Sequence, residues 1–265
     1  MKVIRTLLPL LISGLVSWWL ATFSAGHVQY EGVVDDLSSW NSFFSVFGVV
    51  YAIVAGFLLV TVLNRYSALS QTIEDELNAV ESIRDLLVYF REDQLEASTK
   101  MKHSLEQYVR SLSESEWVRM SDPGSIVNSD TSEELYEIMR SGRAIRVEDS
   151  ADRVALSAVV ENVSEVARLR TRRIALSNER LPPRLRLLVV FMSVAMVAGF
   201  IFLGVRSPSM HVFMVVAIAV SLHLLYMIVD DLDHPFYGVW NVDKTPLQEL
   251  LARFETELRS SGRSV

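Results

Sequence analysis

The sequence predicts an all-α membrane protein: four transmembrane helices, with a helical cytoplasmic bundle inserted between the second and third spans. Three observations carry that prediction. Residues 3–24, 42–63, 187–205 and 210–229 are apolar runs, each about the length a helix needs to cross the hydrocarbon core. Apart from Arg5 they hold no Lys, Arg, Asp or Glu, and Arg206 stands just past the third. The charge is concentrated in residues 64–184, between the two apolar pairs, and no alternating strand pattern occurs anywhere. The expected organisation is a first transmembrane hairpin (1–63), a helical cytoplasmic domain (64–184), a second hairpin (185–230) and a cytoplasmic tail (231–265).

Composition narrows the function. The net charge of −7 argues against nucleic acid as a partner, because that surface must be basic. The absence of cysteine excludes disulfides, thiolate metal sites and cysteine nucleophiles.

Charge around the runs orients them. Lys2 and Arg5 precede the first. The loop 25–41 carries Glu31, Asp35 and Asp36 but no basic residue. Arg65 follows the second, and Arg168, Arg170, Arg172, Arg173, Arg180, Arg184 and Arg186 precede the third. Both termini and 64–184 are therefore expected in the cytoplasm of a cell bounded by an inner membrane. Trp18, Trp19 and Trp40 then fall near the outer interface. The first run also has the basic start and apolar middle of a signal peptide, but Phe23 in Thr22-Phe23-Ser24-Ala25 stands where cleavage needs a small residue, so an uncleaved span is expected.

The second run has no breaker after Gly56 until about Phe90. Apolar residues recur at Tyr66, Leu69, Ile73, Leu77, Val80, Ile83 and Leu87, so one helix of 40 or more residues is expected to leave the membrane. A second amphipathic stretch covers about 92–119 and stops at Asp122-Pro123-Gly124. Thr131 with Glu134 forms a capping box for a short helix to about Arg140. Helices over roughly 150–179 and 246–259 complete the set. Their apolar stripes must bury against each other, against another subunit, or both.

On the second run, Gly48, Ala52 and Gly56 share a face and permit close approach of another helix. Ile53, Phe57, Thr61 and Asn64 lie elsewhere on the circumference. An apolar collar at Ile53 and Phe57 followed by Thr61 and Asn64 suits a pore constriction that gates by dewetting; the plainer alternative is a lipid-facing surface. His223 is the one strongly polar ionisable residue well inside a span, and a hydrogen bond to a neighbouring helix is its expected role. Intramembrane carboxylates are absent, which argues against a proton- or sodium-coupled transporter. Asp230, Asp231, Asp233 and His234 close the fourth run. Acidic groups there oppose the helix dipole, so pairing with the arginines, Arg172 and Arg173 among them, is expected, with a divalent cation as the alternative. Nothing resembles a nucleophile elbow, a phosphate loop or a His/Glu metal spacing, so no enzyme is expected.

Several stretches taken together resemble one family. Val49-Val50-Tyr51-Ala52-Ile53-Val54-Ala55-Gly56-Phe57 leads to Tyr66 and Glu76. Glu116-Trp117, then Arg172 and Arg173 before Leu181-Pro182-Pro183, then Asp233-His234-Pro235-Phe236-Tyr237-Gly238 follow in order. This order is similar to that of the bestrophin-like family of bacterial membrane proteins, over about 45–255. His234 stands where that family commonly has Arg, and Arg184-Leu185-Arg186 where it commonly has Trp. The resemblance implies a passive, anion-conducting homo-oligomer in the lipid bilayer, pentameric if it follows the bestrophins proper, with the second span innermost. A non-conducting scaffold or signalling protein, binding partners through its helical cytoplasmic segment, is the alternative.

Overall fold

The computed structural model describes residues 2–27, 37–91, 94–122, 133–202, 207–237 and 239–261, and among them every regular element is helical. The acidic residues of the loop 28–36, the Pro123-Gly124 stop, the Thr131 capping residue, Arg206 and Gly238 lie outside the described residues. In chain order the helices are α1 (Lys2–His27), α2 (Leu37–Leu86), α3 (Leu95–Ser111), α4 (Trp117–Ser121), α5 (Glu133–Gly142), α6 (Ser150–Asn178), α7 (Pro183–Phe202), α8 (Pro208–Asp233) and α9 (Thr245–Ser261).

Three helical stretches, Ser38–Tyr89, Ser150–Phe202 and Pro208–Asp233, contain a window long and apolar enough to cross a membrane, while Leu11–Ser24 of α1 is a shorter apolar helix. The chain forms two units. One comprises residues 1–64 and 180–241, the other 65–179 and 242–265. Helix α2 contributes to both. Its 50 residues follow from the uninterrupted apolar spacing after Gly56.

In the first unit α1 packs on α8 and α7, and α7 packs on α8. Prolines start both helices of the second hairpin, where a missing N–H costs nothing: Pro183 opens α7 and Pro208 opens α8. Tyr51 and Ser193 share a hydrogen bond of 3.2 Å between α2 and α7. Ser24 of α1 and His211 of α8, both buried, stand 3.4 Å apart as a hydrogen-bonded pair.

In the second unit α3 packs on α5 and α9, and α5 on α6. Leu69, Val80, Met101, Leu105, Val166 and Phe254 are wholly buried and fill this core. Helix α3 runs through a π-helical turn, Leu112–Glu116, into α4. Such a turn holds one residue more than an α-turn and changes which side chains face inward. Here Leu112, Glu116, Trp117 and Met120 all point into the core. The carbonyl of Ser113 in the same turn accepts from Lys244 Nζ at 2.8 Å, and that ammonium lies 5.8 Å from the centre of the Trp117 ring. Helix α6 is capped by Asp149, whose carboxylate accepts from the Asp152 N–H. Gln94 grips the preceding loop in strand-like fashion, donating to the Arg146 carbonyl and accepting from its N–H.

Candidate functional site

Helix α2 presents distinct faces inside the first unit. Tyr51, Ala55, Leu58 and Val62 recur at i, i+4, i+7 and i+11 and are buried. Ile53 and Phe57 are 67% and 66% exposed, and Thr61 and Asn64 are exposed with them. The predicted collar residues Ile53 and Phe57, with Thr61 and Asn64 after them, therefore share one uncovered strip of the subunit, on the side away from its own core. The hydroxyl of Thr61 is used locally, donating to the Phe57 carbonyl at 2.8 Å.

The small residues divide. A Cβ on Gly48 would sit 3.8 Å from the Met196 Cε of α7, ordinary packing, whereas a Cβ on Gly56 would meet nothing within 4 Å. Ala52 and Gly56 are exposed. The glycine on which close packing depends is Gly199 of α7, where a Cβ would stand 2.6 Å from Phe44 Cζ. The Phe44 and Phe200 rings meet there at 4.9 Å. Sequence reasoning passed Gly199 over, although Ala195 four residues earlier gives it the same small-xxx-small spacing.

At the end of α8 the aspartates are held by protein groups. Asp233 is wholly buried; one carboxylate oxygen accepts from the Leu181 N–H at 2.9 Å and the other from Arg186 Nη2 at 2.8 Å. Arg186 also lies 3.4 Å from the half-exposed Asp230. Asp231 accepts from the N–H groups of Val239 and Trp240, bracing the turn that follows the helix. His234 donates through Nδ1 to the Asp230 carbonyl at 2.8 Å. These donors offset the unfavourable helix-dipole position of the carboxylates. Arg186 thus reaches both Asp230 and Asp233. No group of three or more His, Asp or Glu among the described residues is arranged to hold a metal.

Arg173, expected from the sequence beside those aspartates, has its ion pairs inside the second unit, and Arg172 is exposed. Arg173 is wholly buried and donates from Nε to Glu76 at 2.7 Å and from Nη2 to Glu116 at 2.7 Å. Arg170 donates to the same Glu116 at 2.6 Å. Tyr108 donates its hydroxyl to Glu76, and Met120 Sδ accepts from Arg173 Nη1. Two carboxylates and two guanidinium groups balance formally within this cluster. Burial pushes the Glu116 carboxyl upward, but the Arg173 charge and hydrogen bond, with those of Arg170, more than offset it, so its pKa ends below the ordinary value. Burial, then the Glu76 charge, drives the Tyr108 hydroxyl well above its usual range, which keeps it a donor. The sequence signal was available: Val159, Val163, Val166, Arg170, Arg173 and Ser177 form one i+3/i+4 stripe, so both arginines occupy core positions of α6.

His223 lines an open groove of about 670 Å³ between α1, α7 and α8. Its Nε2 is buried and has no hydrogen-bond partner among the described residues, which differs from the interhelical bond the sequence predicts.

Helical elements throughout the described residues, three stretches long and apolar enough to cross a membrane, a 50-residue second helix and an acidic knot at the end of α8 point to a class of membrane protein. A family model for the Bestrophin-like domain matches residues 10–247. The chain belongs to the bestrophin-like family. Solved structures of a bacterial bestrophin homologue from Klebsiella pneumoniae share its fold. One matches with a TM-score of 0.73 at 15% identity over 94% of this chain and 97% of that chain. Another reaches 0.70 at 16% identity over 94% and 96%, and a third 0.68 at 18% identity over 97% of each. No curated protein matches the chain.

Proposed function

We propose that this chain is the subunit of a homo-oligomeric, passive ion channel of the inner membrane, with α2 innermost and Ile53, Phe57, Thr61 and Asn64 facing the axis. In this reading α1, α2, α7 and α8 all span, and both termini and the helical bundle are cytoplasmic. The observation that carries it is the uncovered strip of α2. A membrane helix that commits one face to its own subunit and leaves large apolar residues on the opposite side needs lipid or other copies there. The bestrophin-like fold makes a ring of copies the fitting partner, with five the number expected from the bestrophins proper.

Ile53 and Phe57 then form an apolar collar that passes ions only when wetted. The strip carries no charged side chain, so selectivity for anions, the expectation from the family resemblance, must come from elsewhere than a charge ring on this face. In this reading the aspartates that close α8 serve as a structural knot, with Asp231 and Asp233 held by protein donors.

The purified chain in liposomes under a potassium chloride gradient is expected to conduct without nucleotide, with a reversal potential on the chloride side. Phe57→Ala should raise the flux several-fold. Absence of flux from well-inserted protein would end the channel reading in favour of a scaffold whose exposed Val88, Tyr89 and Leu95 contact partners.

A further inference from the structure

The geometry points to a binding groove for a neutral amphiphile between α1, α7 and α8: a hydrocarbon body bearing one uncharged hydroxyl or carbonyl group, held through His223. The groove is open along one side, holds about 670 Å³ and is lined mainly by apolar residues, including Leu20, Val194, Val197 and Leu222. That volume lies in the range of small-molecule sites.

Its polar features choose the occupant. Among the described residues no Lys, Arg, Asp or Glu lines it, so a phosphate or carboxylate headgroup finds no counter-charge there. Ser13, Ser17 and Tyr226 contribute uncharged hydroxyls to the lining, while the Ser193 hydroxyl is already engaged by the Val189 carbonyl and Tyr51. His223 supplies an imidazole whose Nε2 is buried without a partner, an expensive state where no water competes. Rotation about the broad, two-fold χ2 of histidine exchanges which ring edge faces the groove. The ring sits ten residues before Asp233, about 15 Å along α8, and about 22 Å from Pro208. A polar group placed there is far from both ends of the helix, a depth that a neutral hydroxyl or carbonyl tolerates and an ionic headgroup does not. An apolar trough with one orphaned hydrogen-bonding group matches a ligand with one hydrogen-bonding group on a hydrocarbon body.

The inference rests on α1, α7 and α8 lying in the bilayer, and failure of that premise would show separately, as protein that does not enter nanodiscs. The test uses the full chain in phosphatidylcholine nanodiscs with a diazirine-bearing hexadecanol. Photolabelling is expected on α1, α7 and α8 around the groove. Unlabelled hexadecanol should compete, and hexadecane and hexadecanoate should compete at least tenfold less. His223→Phe should lower occupancy about tenfold, the size of one hydrogen bond. His223→Gln, which keeps a hydrogen-bonding group, should restore part of it, and parental elution profiles for both variants would show that they fold. Equal competition by hexadecane would reduce the groove to bulk-lipid contact and overturn the proposal. Stronger competition by hexadecanoate would make it an anion site and also overturn it. The absence of label, with disulfide formation between copies of a Val194→Cys variant, would assign the groove to a second copy instead; the natural chain has no cysteine to confuse that readout.

Discussion

Arg173 shows what a single residue can decide here. A guanidinium with no exposed surface is tolerable only because Glu76 and Glu116 meet it with short, well-directed bonds. Arg173→Met is therefore expected to cost about 3–5 kcal/mol, because it leaves Glu76 buried with only the Tyr108 hydroxyl. Pairing it with Glu76→Gln should recover much of that loss, and thermal melting of the detergent-solubilised protein reads both. The same cluster sets a pH dependence. The Glu116 carboxyl titrates below its ordinary value in the folded protein. Its contribution is thus fully present above the unfolded carboxyl pKa and is lost as pH falls through the folded one. Melting should be flat from neutrality to about pH 4.5 and then decline, with Glu116→Gln removing part of the acid limb. In the sequence Glu76 and Glu116 stand out only as family-like positions, and Arg173 also as a charge expected beside the aspartates that close the fourth run. Their partnership was hidden because the pairs lie 97 and 57 residues apart, and spacing rules see only neighbours. Arg170 and Arg173 belong to the run of arginines that orients the third span, and their place in the α6 stripe marks them as core.

At the scale of elements the periodic signal was sufficient. The unbroken length of α2, the 150–178 helix and the final amphipathic helix are all legible, because each rests on an apolar stripe many turns long. The π-turn at Leu112–Glu116 was not legible. One extra residue in a helix leaves the composition untouched and shifts only the register, and several residues on either side are apolar enough to fit either one. Interhelical approach is legible in part: the small-residue rule points to Gly48, Ala52 and Gly56 of α2, and within the subunit the tight contact is at Gly199. A side chain on Gly199 must displace the Phe44 ring, so Gly199→Val is expected to destabilise the α2–α7 contact by about 1–3 kcal/mol. Combining it with Phe44→Leu, which vacates the collision site, should return the melting temperature toward the parent. Additive losses would show that the glycine serves some other need than the ring.

For the whole molecule, the open question of assembly turns on which face of α2 a second copy would occupy. Gly56 offers a clean instrument. Among the described residues of its own subunit nothing lies within 4 Å of a Cβ there, so the side chain of Gly56→Leu starts into open space. If copies approach across the Ala52–Gly56 face, a leucine at that point holds the helices apart by the width of a side chain and removes close backbone contact, the main attraction between helices in lipid. The expected outcome is a protein with parental melting at the level of the subunit, a smaller mass in mild detergent, and no flux in liposomes. Phe57→Ala, on the neighbouring strip, should do the opposite: keep the mass and raise the flux. Were Gly56→Leu to retain both mass and conduction, that face would point to lipid, and the ring would have to be built through the other surfaces of the spans.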